Sequence, residues 1–267
     1  MKKSFGQNLL IDESFLEKIL ESVDLNPDDV VIEIGAGSGL LTTHLAKCAK
    51  KVYAVEPERD ILKKLKENIN KNKLGNVEII ENSFLKLDLC KISNKPISII
   101  GNIPYNITSK ILIKLFGEID KPALHLSFLK DVFLMLQLEV AERLVAKPNT
   151  KAYSPLTLLI QYYTEPEILF KVPKEAFLPI PRVSSAFVRL KVKKDYESIA
   201  NTTMLKHLIR TSFQQRRKKA INAMEKIVPD KSKIVKIFDY LKLNYNLRAE
   251  NLRFKDFVNI VNMMDKI

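Results

Sequence analysis

Cysteine and histidine are scarce in this chain. Two cysteines, Cys48 and Cys90, occur in 267 residues, and they form no C-x-x-C pair. Cys48 falls in a helix-like run and Cys90 near a strand end, so a disulfide has no support. The three histidines, His44, His125 and His207, are scattered. Without ligand spacing among Cys or His, no metal site is expected. Long apolar runs are also missing: no stretch of about 18 apolar residues is present, so no membrane-spanning helix and no membrane partner are expected. The opening residues 1–8 lack the long apolar segment and small-residue cleavage site of a secretory signal, which leads to a cytoplasmic expectation.

Hydrophobic residues make up 46% of the chain, enough for one substantial core plus a smaller appended domain. The formal net charge is +13, and its distribution is uneven. Residues 201–267 hold 15 Lys and Arg against 6 Asp and Glu. A basic block of this kind suits a polyanion, nucleic acid above all. The competing reading is a set of solvated helices.

The first two-thirds alternates β-rich apolar runs with amphipathic stretches. Val30–Gly35, Val52–Glu56, Val77–Asn82, Ser98–Ile103 and Val132–Gln137 read as strands, and Leu40–Lys50 and Glu58–Lys71 have helical spacing. That alternation indicates an α/β fold with a parallel sheet covered on both faces. Glu167–Val172 and Ala186–Val192 are expected to add antiparallel strands at one edge. From Thr202 the periodicity is helical. The reading is a catalytic α/β domain over residues 1–194 and a small, basic, all-helical domain over 195–267.

The strongest general signal is V-I-E-I-G-A-G-S-G at Val31–Gly39, where an apolar strand runs into a glycine-rich turn and a helix pattern follows. Gly35 and Gly37 permit positive φ and close approach of a ligand to the backbone. Glu56 ends the next strand, where an acidic side chain can accept hydrogen bonds from both hydroxyls of a ribose. A nucleoside-containing cofactor is implied. The dinucleotide fingerprint is G-x-G-x-x-G. This chain instead has G-x-G-x-G preceded by Glu33, a form that resembles motif I of class I methyltransferases, which bind S-adenosylmethionine.

A second signal, Gly101-Asn102-Ile103-Pro104-Tyr105-Asn106, follows the fourth strand, at the carboxyl end that faces the crevice of an open α/β sheet. Asn-x-Pro-Tyr resembles motif IV of amino-methyltransferases. An exocyclic adenine amine is a poor nucleophile, because its lone pair is delocalised into the ring. The Asn102 side-chain oxygen and a backbone carbonyl on the Pro104 side can accept its two N–H hydrogens, turning the lone pair toward the methyl carbon. Proline fixes the turn. Tyr105 offers a face for an extruded base, so its role is placed on the ring and Tyr105→Phe is expected to be mild. The amine sheds its proton only after becoming cationic, so no catalytic His or Cys is needed.

Beyond these motifs the chain closely resembles the small-subunit ribosomal RNA adenine dimethyltransferases, the KsgA family, and more distantly the Erm methyltransferases. The resemblance rests on Phe5-Gly6-Gln7-Asn8-Leu9-Leu10; on Gln137 with Glu139-Val140-Ala141-Glu142-Arg143-Leu144, where Leu138 replaces a Lys; on Lys147–Tyr153; and on Phe177–Ser185, where Ile180 replaces a Pro. Phe213–Lys219 and Arg248–Leu252 favour KsgA over Erm.

The resemblance implies a class I, Rossmann-like methyltransferase sheet and S-adenosylmethionine as cofactor. It implies that Asn8 and Leu10 line the methionine and sulfonium end, that Gly35 meets the carboxylate region, that Glu56 holds the ribose, and that Asn102 serves cofactor and target. Asn82 stands where the family has an Asp for the adenine amine. Phe177 is expected to sandwich the target base opposite Tyr105. Arg216, Arg217, Lys218 and Lys219, at one helix start, and Arg248 are expected to meet RNA. The implied partner is 16S rRNA within a 30S precursor, methylated by a monomer on two adjacent adenosines of a hairpin loop near its 3′ end. An Erm-like enzyme acting on 23S rRNA and a non-catalytic ribosome-assembly or nucleic-acid-binding factor are the alternatives.

Overall fold

A computed structural model describes residues 9–93, 95–196, 199, 201–228, 230–264 and 266. Five apolar segments pair into a parallel sheet: β1 (Val30–Ile34), β2 (Lys51–Val55), β3 (Val77–Ile80), β4 (Ile97–Asn102) and β5 (Leu129–Gln137). β1 pairs with β2 and with β4, β2 with β3, and β4 with β5, all parallel. Two later strands, β6 (Thr164–Val172) and β7 (Ser185–Val192), complete seven in the order β3-β2-β1-β4-β5-β7-β6. β7 runs antiparallel to β5 and β6 takes the edge. The expected α/β class is borne out. The chain steps outward from β1 through β2 to β3, then returns to place β4 on the other side of β1. Loops leaving β1 and β4 therefore diverge, and a crevice opens at their carboxyl ends.

Helices cover the sheet because their apolar residues recur every three or four positions. Among them are α1 (Glu13–Ser22), α2 (Leu40–Cys48) and α3 (Arg59–Lys71). Asp12 caps α1 by accepting the Ser14 N–H at 3.0 Å, and α3 buries Leu62, Leu65 and Ile69. β1 and all of β4 but Asn102 are buried, so even Glu33 on β1 is enclosed.

The chain forms two compact units. One comprises residues up to Phe116, Ala123–Ala141 and Glu165–Lys194. The other comprises the chain from Asp195 onward together with Gly117–Pro122 and Glu142–Thr164, two segments that the sequence reading placed in the first domain. The reason lies in side chains of the second unit. Glu118 and Asp120 bind Arg210 and Lys206, and the buried Tyr153 hydroxyl donates to the Leu252 carbonyl at 3.1 Å. No helix among the described residues is long and apolar enough to cross a membrane.

Candidate active site

β1 delivers Glu33 and then the glycine turn. Gly35 and Gly37 adopt φ of 72° and 57°, which side chains rarely tolerate. A Cβ on Gly35 would lie 3.4 Å from the Asn102 carbonyl oxygen, a contact that a side chain could just make, so it is the positive φ that calls for glycine here. Above the turn a cavity of about 330 Å³ is lined by Leu10, Glu33, Gly35, Gly37, Asn102 and Met135, among others. That is the size of a small-molecule site.

Of the residues expected at the cofactor, Leu10, Gly35, Gly37 and Asn102 are gathered at this cavity. Asn8 lies outside the described residues. Glu56 is fully buried behind the turn: it accepts the Gly37 N–H on Oε2 and the Glu58 N–H on Oε1, both at 3.0 Å. It therefore shapes the turn as well as closing β2. Asn82 is exposed, and its side-chain oxygen accepts the Ser83 N–H at 2.8 Å. β3 stops at Ile80 and not at Asn82, whose backbone N–H turns back to the Ile80 carbonyl at 2.9 Å.

Sequence reasoning singled out Glu33 only as part of a motif; its environment adds more. Glu33 is 2% exposed, and its Oε2 accepts a hydrogen bond from Thr42 Oγ1 at 2.5 Å. Burial, helped by the nearby Glu56 and opposed by the Thr42 bond, pushes its carboxyl up to about 8. Thr42 was not expected at the site. Its place on the inner face of α2 is the signal that could have found it.

Asn102 closes β4 at the same cavity. Pro104, at φ −59°, starts a short 3-10 turn over Tyr105–Ile107, and its carbonyl accepts the Ile107 N–H at 3.2 Å. One of the two lone pairs of that carbonyl is thus engaged within the turn. Tyr105 is half-buried, and its hydroxyl shares a 2.6 Å hydrogen bond with Ser185 Oγ, which is fully buried at the start of β7.

The Tyr105 hydroxyl therefore helps to hold the ring, a role that the sequence reading, which placed everything on the ring, did not include. Tyr105→Phe should leave a buried Ser185 hydroxyl without this partner, at a cost of about 1 kcal/mol or more. It should also slow methyl transfer severalfold by loosening the ring. Single-turnover rates equal to wild type would return the role to the ring alone.

Phe177 is also corrected. It is 0% exposed, packed into a core cluster with Val172, Ala176 and Phe187. Phe177 therefore presents no open face to a base in this structure. The neighbouring Leu178 is the exposed member of the pair, set opposite Leu9 in a short antiparallel bridge. Alternation along an extended segment turns Phe177 inward and Leu178 outward.

In the second unit the basic residues divide by role. Arg216, Arg217 and Lys218 sit in the turn after helix Thr202–Gln214, and only Lys219 caps the next helix, Ala220–Met224. Arg216 is a staple: its Nε donates to Glu250 at 2.6 Å, and its Nη2 donates to the Thr150 and Lys151 carbonyls at 3.1 and 2.7 Å. Arg217, Lys218, Lys219 and Arg248 instead line a basic concavity of about 820 Å³, with Lys219 and Arg248 joined by an antiparallel bridge. Arg216→Ala should lower stability by about 1–2 kcal/mol, since half-exposed charged hydrogen bonds are removed. Arg217→Ala should leave the melting temperature unchanged. Calorimetric melting of the two variants separates the roles; equal melting would refute the staple.

A parallel sheet with a β1 glycine turn, an acidic residue after β2 and Asn-x-Pro-Tyr after β4 defines a methyltransferase of the nucleoside-cofactor class. The family model described as Ribosomal RNA adenine dimethylase matches residues 1–266. The Ribosomal RNA small subunit methyltransferase A of Francisella tularensis subsp. novicida is 39% identical over 266 residues, covering 98% of this chain and 97% of that protein. Its counterpart in subsp. tularensis is 38% identical with the same coverage. Among solved structures, a dimethyladenosine transferase from Plasmodium falciparum superposes with a TM-score of 0.79 at 24% identity, covering 97% of this chain and 98% of that one. The 23S rRNA methyltransferase ErmE gives 0.73 at 24% identity, over 97% and 100%. The chain belongs to the ribosomal RNA adenine dimethylase family.

Proposed function

We propose that this enzyme transfers methyl groups from S-adenosylmethionine to the N6 amines of two adjacent adenosines in small-subunit rRNA; the family description, adenine dimethylase, supports the base, and the relatives' names, small-subunit methyltransferase, support the RNA. The observation that carries the reading is the meeting of Asn102 with the glycine turn at one cavity. The residues fit the cofactor. Apolar Leu10, Leu16, Ile19 and Met135 suit a methionine chain, and the positive-φ glycines admit a ligand against the backbone. S-adenosylmethionine supplies the electrophilic methyl group. The chain's own residues orient the amine: Asn102 accepts one N–H, and the adjoining turn supplies a carbonyl for the second. Tyr105, anchored on Ser185, presents its ring to the base.

An extruded base in a hairpin loop costs little to unstack, which suits a loop near the 3′ end of 16S rRNA. The second unit would take the RNA backbone through Arg217, Lys218, Lys219 and Arg248. Neutralising these four should flatten the dependence of log K on log salt by about 0.7–0.9 for each phosphate no longer neutralised, with no change in which adenosines are methylated. An unchanged slope would assign them to a merely solvated surface. The defining experiment is radiolabelled S-adenosylmethionine with undermethylated small subunits, followed by mapping of the product. Methylation of 23S rRNA in place of 16S would support the Erm-like reading.

A further inference from the structure

Glu33 is a buried acid that the methyl-transfer chemistry does not use. It stands on the wall of the cavity beside Gly35 and Asn102, 2% exposed, with Thr42 Oγ1 donating to it. The elements packed around it offer no compensating cation among the described residues. β2 is followed at once by Glu56, another buried acid; β4 contributes the neutral Asn102 and β5 the thioether of Met135. α1 turns Leu16 and Ile19 toward the cavity and keeps Glu13, Glu17, Lys18 and Glu21 exposed. On α2, His44 engages the Leu40 carbonyl of its own helix, and Lys47 is exposed. Among the described residues the one charge that bears on Glu33 is that of Glu56. A carboxyl so placed is more stable neutral than ionised, because burial and a like charge both oppose ionisation.

We propose that S-adenosylmethionine binding expels a proton from Glu33, which is neutral before the ligand arrives and becomes the counter-charge of the ligand's ammonium group. The inference rests on the cofactor reading above. Glu33 lines the cavity with Leu10, Gly35 and Asn102, the residues assigned to the methionine end, where that ammonium is carried. A cation within about 4–6 Å lowers a carboxyl's pKa by roughly 1–3 units. The carboxyl that sits at about 8 by itself then ionises near neutrality, and its proton passes to the buffer. The bound state holds fewer protons than the free one, so affinity rises with pH through neutrality, until the ligand's own ammonium begins to titrate at roughly 7.7–8.0.

The test is calorimetric titration of S-adenosylhomocysteine, which keeps the ammonium and lacks the sulfonium, into the full chain. Between pH 6 and 7 the ligand's own α-amino group stays charged, since such groups titrate at roughly 7.7–8.0. In buffers of different ionisation enthalpy, the slope of observed heat should report on the order of half to one proton released per ligand at pH 7. Kd should fall severalfold, up to about tenfold, from pH 6 to pH 7. Glu33→Gln should bind without proton release and without this pH dependence. Thr42→Val removes the donor that favours the ionised form, so it should move the pH dependence upward. Wild-type binding without proton release overturns the proposal, as does undiminished release by Glu33→Gln or an unmoved profile in Thr42→Val. Failure of the wild type to bind S-adenosylhomocysteine overturns the cofactor reading itself, and this inference with it.

Discussion

Asn102→Ala should fold normally and reduce methyl transfer by on the order of a hundredfold or more, the usual cost of removing one preorganised polar group from a developing charge. The side chain lies at the very end of β4, half-buried at the cavity, so truncating it leaves the sheet's apolar interior intact. What disappears is an acceptor that aligns the amine and grows stronger as the nitrogen becomes positive. An interaction of that kind acts on the transition state, so the effect should fall on kcat, tenfold for each 1.36 kcal/mol or so, with substrate affinity little changed. Asn102→Asp keeps an acceptor and should recover part of the rate. Single-turnover assays on undermethylated small subunits, run beside thermal melts, make the comparison. Near-wild-type transfer by Asn102→Ala would remove the amide from the mechanism.

Phe177→Ala should cost about 3–5 kcal/mol of stability, the range for emptying a buried aromatic site. In a protein of this size that is on the order of 10 °C in Tm. Phe177 is 0% exposed amid Val172, Ala176 and Phe187, so its ring is part of the floor beneath the site. Phe177→Leu, which keeps most of the volume, should retain both fold and activity. If Phe177 were instead a stacking surface, Phe177→Ala would melt like wild type and fail only in transfer. A melting temperature within about 1–2 °C of wild type would therefore overturn the core assignment.

The contrast between Asn102 and Phe177 shows what a sequence motif specifies. Asn102 was legible because its place follows from chain order alone. A short apolar strand, a Pro-fixed turn and a parallel sheet put the residue after β4 at the crevice, whatever the surroundings. Gly35 and Gly37 were legible for the same reason, since a turn demanding positive φ names its residue type. Phe177 and Leu178 are neighbours in a motif, and only one of them can face outward. Which one does is set by the bridge between Leu9–Leu10 and Phe177–Leu178, a pairing across more than half the chain.

Arg216 and Arg217 divide in the same way. They are adjacent and equally charged in sequence, yet Arg216 is held by Glu250 and two carbonyls while Arg217 lines the basic concavity. The assignment of Gly117–Pro122 and Glu142–Thr164 to the second unit was likewise hidden, because its causes are long-range ion pairs and a tyrosine hydroxyl bond. The sequence by itself determined the α/β class, the glycine turn, the Asn-x-Pro-Tyr position and the basic character of the C-terminal quarter, all of which depend on period, local turn chemistry or charge. Only the tertiary structure decided that Glu33 is enclosed beside Glu56 with Thr42 as donor, that Tyr105 is fixed through Ser185, and that Phe177 is core. Burial and partner geometry arise from packing between segments far apart in the chain, and one-dimensional spacing does not encode which of two adjacent side chains takes part in it.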